Sequence, residues 1–259
     1  ATRMIRTAVD RGVNYVDTAW PYHDGKSEPL VGRALADGYR DRVNLATKLP
    51  SWLVKTRQDM DRFLARQLER LRTDRIDFYL IHAIDGEGWR RLVDLGVNDF
   101  LDRALADGRI RHAGFSFHGD GGEFPAIVDA RPWTFCMVQY NYMDTAYQAG
   151  TAGVRYAAAK GLGVLAMEPL RGGTLAGDVP AVRSLWERAP VARTPAAWAL
   201  RWIWDHPGIT LLLTGASSLE QLEQNLATAD EGVAGSLTAE EHDVIAEVRA
   251  EYERRIAVP

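Results

Sequence analysis

The sequence predicts an α/β protein of the (β/α)8 TIM barrel type that lacks an N-terminal hairpin and the first barrel strand. Short apolar runs alternate with helical stretches roughly every 30 residues, the pattern of parallel strands joined by helices. No glycine-rich turn follows the first strand, which argues against an open nucleotide-binding sheet. Seven runs occur where a barrel needs eight, so we expect the missing strand upstream of Ala1. Residues 1–259 are predicted to form a single domain that is truncated at both ends.

The predicted strands are β-branched or apolar runs, as expected of strands buried on both faces. They are Val13–Ala19, Val43–Leu49, Ile76–His82, His112–Phe117, Phe135–Tyr142, Gly163–Leu170 and Ile209–Gly215. The segment Gly161–Gly163 precedes its strand, so we interpret it as a helix end followed by a turn, not as a phosphate-binding loop.

The predicted helices show apolar residues at helical spacing or recognisable end signals. They are Ala1–Arg11, Asp59–Leu71, Asp99–Asp107, Thr194–His206, Ser218–Ala229 and Leu237–Arg254. Three starts carry residue pairs at the spacing of a capping box. These pairs are Thr56–Asp59, Ser218–Gln221 and Thr238–Glu241.

Composition narrows the class of protein. Of 259 residues, 25% are charged and 46% hydrophobic, the balance of a globular protein. A net charge of −4 without a basic run predicts no nucleic-acid partner, and no apolar run reaches the roughly 20 residues of a membrane helix. The single cysteine, Cys136, forbids an internal disulfide and a cysteine-only metal site, so we predict a cytoplasmic protein without a metal.

Polar residues gather at the carboxyl ends of the first three predicted strands, where barrels carry their chemistry. The first strand ends at Asp17 and is followed by Tyr22, the second contains Lys48, and the third ends at His82. A lysine inside an apolar strand is costly to bury without a carboxylate partner, and Asp17 is the nearest candidate.

These four side chains fit one chemical task. An ammonium group beside a phenol favours the phenolate, which would make Tyr22 a usable acid beside Lys48. A neutral His82 could donate a hydrogen bond to the same substrate oxygen. The target would be a carbonyl that gains negative charge, and the attacking group must come from elsewhere. A hydride from a nicotinamide could be that attacking group.

Several motifs resemble the aldo-keto reductase superfamily in order and spacing, from Ala1 to about Arg254. They are D-T-A-x-x-Y at Asp17–Tyr22, T-K at Thr47–Lys48, L-I-H at Leu80–His82, G-F-S at Gly114–Ser116, Q-Y-N at Gln139–Asn141, E-P-L-R-G-G at Glu168–Gly173 and T-G-A-S-S at Thr214–Ser218. The resemblance implies an NAD(P)-dependent aldo-keto reductase with Asp17, Tyr22, Lys48 and His82 as its catalytic tetrad. Other motifs resemble a branch with a C-terminal 4Fe–4S tail, which is absent here, and Cys136 alone holds no cluster.

The resemblance also implies which residues contact the cofactor. Ser116 and Gln139 would hold the nicotinamide carboxamide. The pyrophosphate and adenosine would meet two loops and one helix start, with contacts from Leu170, Arg171, Gly172, Gly215, Ala216, Ser217, Gln221 and Asn225. Trp20 and Trp52 follow the catalytic strands and are expected to wall the substrate pocket.

Three departures from the family pattern bear on the cofactor. Phe117 stands where many relatives have asparagine, and Met167 stands where others have an aromatic ring. The segment Gly215–Asn225 contains no lysine or arginine, although relatives that select NADP usually place a cation there. Because Arg171 could serve from the other side, we favour NADP(H) slightly over NAD(H).

The predicted function is reduction of aldehyde or ketone carbonyls to alcohols, or the reverse, with a small-molecule carbonyl substrate as partner. One alternative is a non-catalytic nicotinamide-binding module with a redox-sensing or regulatory role. Another is a lyase or aldolase that forms an imine on Lys48. The sequence predicts neither the particular carbonyl compound nor the oligomeric state.

Overall fold

All strands that the structure describes belong to one parallel sheet. The computed structural model describes residues 1–256. The strands are β1 (Tyr15–Asp17), β2 (Asn44–Leu49), β3 (Ile76–Ile84), β4 (Ile110–Phe117), β5 (Phe135–Gln139), β6 (Gly163–Met167) and β7 (Leu211–Leu212). Each pairs in parallel with the next along the chain, in the order β1 to β7. The predicted order of seven parallel strands is confirmed.

The outer strands of this sheet are shorter than their apolar runs predicted. β1 covers only Tyr15–Asp17 and β7 only Leu211–Leu212. In the described part of the chain each has one neighbouring strand, β2 for the first and β6 for the second. A residue belongs to a strand only where it pairs with a neighbouring strand. A run with one neighbour therefore has fewer residues in pairing than a run with a neighbour on each side.

Helices connect the strands. They are α1 (Thr2–Asp10), α2 (Ser27–Ala34), α3 (Arg57–Leu71), α4 (Gly86–Asp94), α5 (Val97–Ala106), α6 (Phe124–Asp129), α7 (Gly150–Ala159), α8 (Pro180–Trp186), α9 (Pro195–Asp205), α10 (Leu219–Asp230) and α11 (Ala239–Ile256). The six predicted helices are confirmed within a few residues, whereas α2, α4, α6, α7 and α8 were not predicted. The expected end of the last helix before Pro259 lies outside the described residues beyond position 256.

Two of the three predicted capping boxes form. Thr56 and Asp59 exchange both bonds at the start of α3, and Thr238 and Glu241 do so before α11. The third prediction was half wrong. Ser218 caps α10 by accepting from the Gln221 N–H, but the Gln221 amide oxygen accepts from the N–H of Ser217, one residue earlier than a capping box requires.

Both faces of the sheet are covered, which explains why the strands are apolar on both sides. One face packs against the helices through residues such as Leu45, Tyr79 and Phe115. The other face forms an inner cluster that joins β2, β3, β5 and β6, with Ala46, Leu80, Phe135, Met137 and Leu165 at its centre. None of the described helices is long and apolar enough to cross a membrane. The parallel order places the carboxyl ends of β1–β7 along one rim, which we call the strand-end mouth.

Candidate active site

A buried ion pair joins the ends of β1 and β2. Lys48 is 1% exposed, and its Nζ donates to the Asp17 carboxylate and, at 2.9 Å, to the carbonyl oxygen of Thr18. Burial raises the pKa of the Asp17 carboxyl, and the Lys48 ammonium opposes that rise. The pair satisfies a lysine that would otherwise be a costly buried charge.

Tyr22 lies over this pair in the loop that follows β1. The centre of its ring is 4.9 Å from Lys48 Nζ. The ring meets His82 edge-on, with ring centres 6.0 Å apart. Tyr22 is 39% exposed, so its phenol borders both the buried ammonium and the open mouth. The structure thus brings Asp17, Tyr22, Lys48 and His82 together.

His82 is aimed by a local irregularity at the end of β3. The register against β4 shifts between Ile81 and Ile84, and Ala83 adopts a left-handed backbone with φ of 52°. Such a conformation costs a non-glycine residue about 1–3 kcal/mol and persists where neighbours hold it. Here the Ala83 N–H donates to Ser116 Oγ at 2.7 Å, and Ser51 Oγ donates to the His82 carbonyl at 2.6 Å.

The imidazole of His82 is neutral at neutral pH. Burial, and next the nearby Lys48 ammonium, lower the pKa of His82 to about 3. Its Nδ1 is buried and has no hydrogen-bond partner within residues 1–256. A neutral imidazole carries one N–H donor and one acceptor, so it can hydrogen-bond a carbonyl oxygen without adding a charge.

Behind Lys48 lies a fully buried polar network centred on Glu28 of α2. Glu28 Oε1 accepts from Thr47 Oγ1 and from Gln67 Nε2, both at 2.7 Å. Gln67 Nε2 also donates to the backbone oxygen of Lys48 at 2.9 Å, and its Oε1 accepts from the Tyr79 hydroxyl. Each bond crosses between secondary-structure elements, so the network fixes the backbone that carries Lys48.

The same carboxylate also reaches the loop that carries Tyr22. Arg70 donates to Glu28 Oε2 at 3.0 Å and to the Gly25 oxygen at 2.6 Å. Its guanidinium lies 4.2 Å from the centre of the Trp20 ring. Through Arg70, Glu28 therefore holds the Tyr22 loop as well as the strand of Lys48.

The two tryptophans predicted for the substrate pocket differ in position. Trp52 is 48% exposed, and its ring centre lies 5.1 Å from that of His82 at the mouth. Trp20 instead packs edge-on against Phe63, with Arg70 on its ring. Trp52 is thus the one of the two that borders His82.

The predicted carboxamide contacts lie on β4 and β5. Ser116 is buried, and its Oγ accepts from the Ala83 N–H. Gln139 is half-buried at the end of β5, and its Nε2 donates to Asp144 Oδ2 at 2.8 Å. Phe117, the residue that replaces the usual asparagine, is fully buried and packs against Phe124, so it turns away from the mouth.

The predicted phosphate and adenosine contacts lie on the β6–β7 side, mostly in solvent. Gly172 and Gly215 are exposed, and a Cβ added at either would meet nothing within 4 Å. The backbone at Leu170, Arg171, Ala216 and Ser217 belongs to the same two loops. The Gln221 Oε1 accepts a hydrogen bond from the Ser217 N–H. Asn225 is buried, and its Nδ2 donates to Thr214 Oγ1 at 3.2 Å.

Sequence reasoning missed several residues that border the site. Glu28, Gln67, Arg70 and Asp144 each act through partners on other elements, so their spacing along the chain carries no signal. His118 is another such residue, and its Nδ1 lies 3.3 Å from Gln148 Nε2 near the mouth.

The structure thus places an acid, a phenol, an amine and an imidazole at one rim of a parallel sheet. The family model described as "Aldo/keto reductase family" matches residues 1–250. The chain therefore belongs to the aldo/keto reductase family, and the prediction of an NAD(P)-dependent enzyme of this family is confirmed.

Individual relatives agree with this assignment. The chain is 28% identical to "Aflatoxin B1 aldehyde reductase member 4" of Homo sapiens, over 88% of this chain and 83% of that protein. It is 26% identical to "Methylglyoxal reductase YeaE" of Escherichia coli strain K12, over 87% and 78% of the two chains.

Solved structures agree on the fold. An aldo-keto reductase of Bacillus halodurans, in its holo form, matches 95% of this chain and 86% of its own, with a TM-score of 0.78 and 24% identity. An aldo-keto reductase of Klebsiella pneumoniae, solved in complex with NADPH, matches 96% of this chain and 84% of its own, with a TM-score of 0.76 and 26% identity. The predicted barrel class of this family is confirmed.

Proposed function

We propose that this chain reduces aldehyde or ketone carbonyls to alcohols, or catalyses the reverse oxidation, with Tyr22 as the proton donor. The observation that carries the proposal is the position of the Tyr22 ring, 4.9 Å from the paired Lys48 ammonium and edge-on to a neutral His82. In reduction the Tyr22 hydroxyl gives its proton to the substrate oxygen as negative charge develops there. The Lys48 ammonium lies beside the phenolate that remains, and Asp17 holds that ammonium in place.

His82 orients the substrate in this proposal. An N–H of its neutral imidazole donates to the carbonyl oxygen that Tyr22 protonates, so the oxygen receives two hydrogen bonds from fixed donors. Because the backbone at His82 is fixed by its bonds to Ser51 and, through Ala83, to Ser116, little reorganisation of this donor is needed as charge develops.

The residues on the cofactor side suit a nicotinamide dinucleotide. Ser116 and Gln139 offer hydrogen-bonding groups for the carboxamide. The open glycine backbone at Gly172 and Gly215 leaves space for phosphates, and α10 presents its positive end beside it. When bound, the nicotinamide supplies the hydride that reaches the carbonyl carbon.

We favour NADP(H) slightly over NAD(H). The Klebsiella relative was solved with NADPH, which supports that choice. The absence of lysine and arginine from Gly215–Asn225 makes the preference small, because a 2′-phosphate would gain no direct ion pair from that segment. Arg171 is the cation that we expect to compensate. The ratio of KM values for NADPH and NADH measures this preference.

The expected substrate class is small aldehydes and ketones. The names of two relatives specify reduction of an aldehyde and of methylglyoxal, which supports a carbonyl substrate here. All strands lie in one sheet, so we propose that the chain works as one barrel domain. An imine mechanism at Lys48 is disfavoured, because its ammonium is buried and bonded to Asp17 and to the Thr18 oxygen.

Replacing the proposed proton donor tests the function. Tyr22→Phe should lower carbonyl-dependent oxidation of NADPH by about 10²–10⁴-fold, the usual contribution of a general acid. Dinucleotide binding, measured by fluorescence, should change less than twofold. Tyr147→Phe is the matched control, since Tyr147 is also exposed but lies outside the tetrad. Loss of turnover and binding together in Tyr22→Phe would contradict the assigned role.

A further inference from the structure

Asp144 is a buried carboxylate that the proposed mechanism does not use. It lies in the loop after β5 and is 6% exposed. Its Oδ2 accepts from Gln139 Nε2 and from Asn141 Nδ2, each at 2.8 Å. Arg171 Nε lies 3.6 Å from Oδ1. A buried carboxylate is costly unless it is paired or hydrogen-bonded, and here two amide donors bind one oxygen while a cation lies near the other.

The loop around Asp144 is closed by Asn141. The Asn141 Oδ1 accepts from the N–H groups of Met143 and Asp144, both at 3.0 Å. Its Nδ2 also donates to the Glu168 oxygen at 3.0 Å, which ties the loop to the end of β6. The Asp144 carboxylate is therefore held in place independently of Gln139.

A fixed carboxylate determines which way the Gln139 amide faces. An ionised carboxylate only accepts hydrogen bonds, so the NH₂ of Gln139 must face Asp144. The reversed amide would set two oxygens against each other. The Gln139 Oε1 consequently lies on the side away from Asp144. On that side the amide presents a hydrogen-bond acceptor and no N–H.

Ser116 on the adjacent strand has the opposite character. Because its Oγ already accepts from the Ala83 N–H at 2.7 Å, its hydroxyl hydrogen is available for donation. The rim of β4 and β5 therefore presents one donor and one acceptor. A carboxamide presents the complementary pair, a carbonyl oxygen and an NH₂ group.

We propose that Asp144 is a specificity-determining residue: by fixing the Gln139 amide it makes this site select a cofactor with a carboxamide NH₂. The inference rests on the proposed nicotinamide cofactor. A dinucleotide whose carboxamide is replaced by an acetyl group keeps the carbonyl oxygen but has a methyl group in place of NH₂. Such an analogue leaves Gln139 Oε1 without a donor.

The test compares dissociation constants of NADP⁺ and of its 3-acetylpyridine analogue by isothermal titration calorimetry, with no substrate present. Wild-type protein should bind NADP⁺ about fivefold more tightly than the analogue, the worth of one ordinary hydrogen bond. Asp144→Ala frees the amide to rotate, so the ratio should fall below about twofold. Asp144→Asn should restore the ratio, because its amide oxygen can still accept from Gln139 and Asn141.

Two further variants separate orientation from charge and from folding. Arg171→Met removes the neighbouring cation but leaves Gln139 bonded to Asp144, so the ratio should stay at the wild-type value. Gln139→Met removes the amide and leaves Asp144 with its Asn141 bond, so the ratio should fall as in Asp144→Ala. If Asp144→Ala does not fold, this last variant still tests whether the ratio depends on the Gln139 amide.

Three results would overturn the inference. A wild-type ratio near one means that the site does not read the NH₂ group. A wild-type ratio that persists in Asp144→Ala, or in Gln139→Met where Asp144→Ala does not fold, means that Asp144 does not set it. Wild-type protein that binds neither dinucleotide removes the proposed cofactor and this inference with it, whereas the first two results leave the proposed function standing.

Discussion

On the β1–β3 side of the strand-end mouth Lys48 and His82 are buried, whereas on the β6–β7 side the glycine loops lie in solvent. Lys48 is bonded by Asp17 and by the Thr18 oxygen, and its strand is fixed by the Glu28 network. Gly172 and Gly215 have no atom within 4 Å of a would-be Cβ. The comparison teaches that the side proposed for proton transfer is held by buried contacts before any ligand binds, while the side proposed for phosphates is open to solvent.

Breaking the buried ion pair should have the largest effect. Lys48→Met leaves the Asp17 carboxylate buried without its partner, which costs about 3–5 kcal/mol of unfolding free energy. Urea denaturation measures the loss. The matching variant on the β6–β7 side is Arg171→Met. The pair that it removes, between Arg171 and Asp144, is partly exposed, so the free energy of unfolding should fall by less than about 1 kcal/mol.

The double variant Asp17→Asn with Lys48→Met controls for lost packing. Neither charge then remains in the interior, so most of the stability should return while turnover stays absent. A Lys48→Met protein as stable as wild type would mean that the pair does not hold the β1–β2 edge.

Adding one methyl group to a glycine on each side sharpens the comparison. A Cβ at Gly32 of α2 would lie 2.7 Å from the Arg70 oxygen and 2.8 Å from the Leu71 backbone. Gly32→Ala should therefore destabilise the protein by about 1–3 kcal/mol, because backbone must move. Gly215→Ala meets open space and should leave stability within about 0.5 kcal/mol.

For dinucleotide affinity the larger effect should come from Gly215→Ala. Gly215→Ala should weaken binding severalfold, since phosphates are proposed to approach that backbone, and Gly32→Ala should not. Thermal unfolding and fluorescence titration of the two variants provide both readouts. Equal stability losses in the two variants would contradict the contrast between the sides.

The acid response of His82 gives a smaller effect. Its pKa is lowered to about 3 in the folded protein from an ordinary value of 6.5. Below about pH 6.5 His82 binds a proton in the unfolded chain but stays neutral in the folded protein. The free energy of unfolding therefore falls as the pH falls. Between pH 6.5 and 5 the wild type should lose about 1–2 kcal/mol more than His82→Asn in urea denaturation. Parallel losses in both proteins would contradict the buried, neutral imidazole.

The sequence predicted the strand order and the gathering of Asp17, Lys48 and His82 at one rim because those features are local. Each of Asp17, Lys48 and His82 stands at the end of an apolar run, and parallel strands bring such ends to one rim. The missed helices are only 6 to 10 residues long, so each offers few positions from which helical spacing can be recognised.

The supporting residues could not be predicted because their partners are distant along the chain. Glu28 meets Thr47, Gln67 and Arg70, which lie 19 to 42 positions away. Even Asp144, five positions from Gln139, gives no pattern that distinguishes a bonded carboxylate from a solvated one. The direction of an amide follows from folded contacts alone.

Hydrogen exchange in the dinucleotide-free protein tests the contrast between the two sides most directly. Peptides from β2 and β3 should exchange slowly, whereas those over residues 170–177 and 214–221 should exchange fast. Adding NADP⁺ should slow exchange in the second pair and leave the first pair unchanged. Equal protection of both regions before the dinucleotide is added, or dinucleotide-dependent ordering of β2 and β3, would contradict a preorganised proton-transfer side.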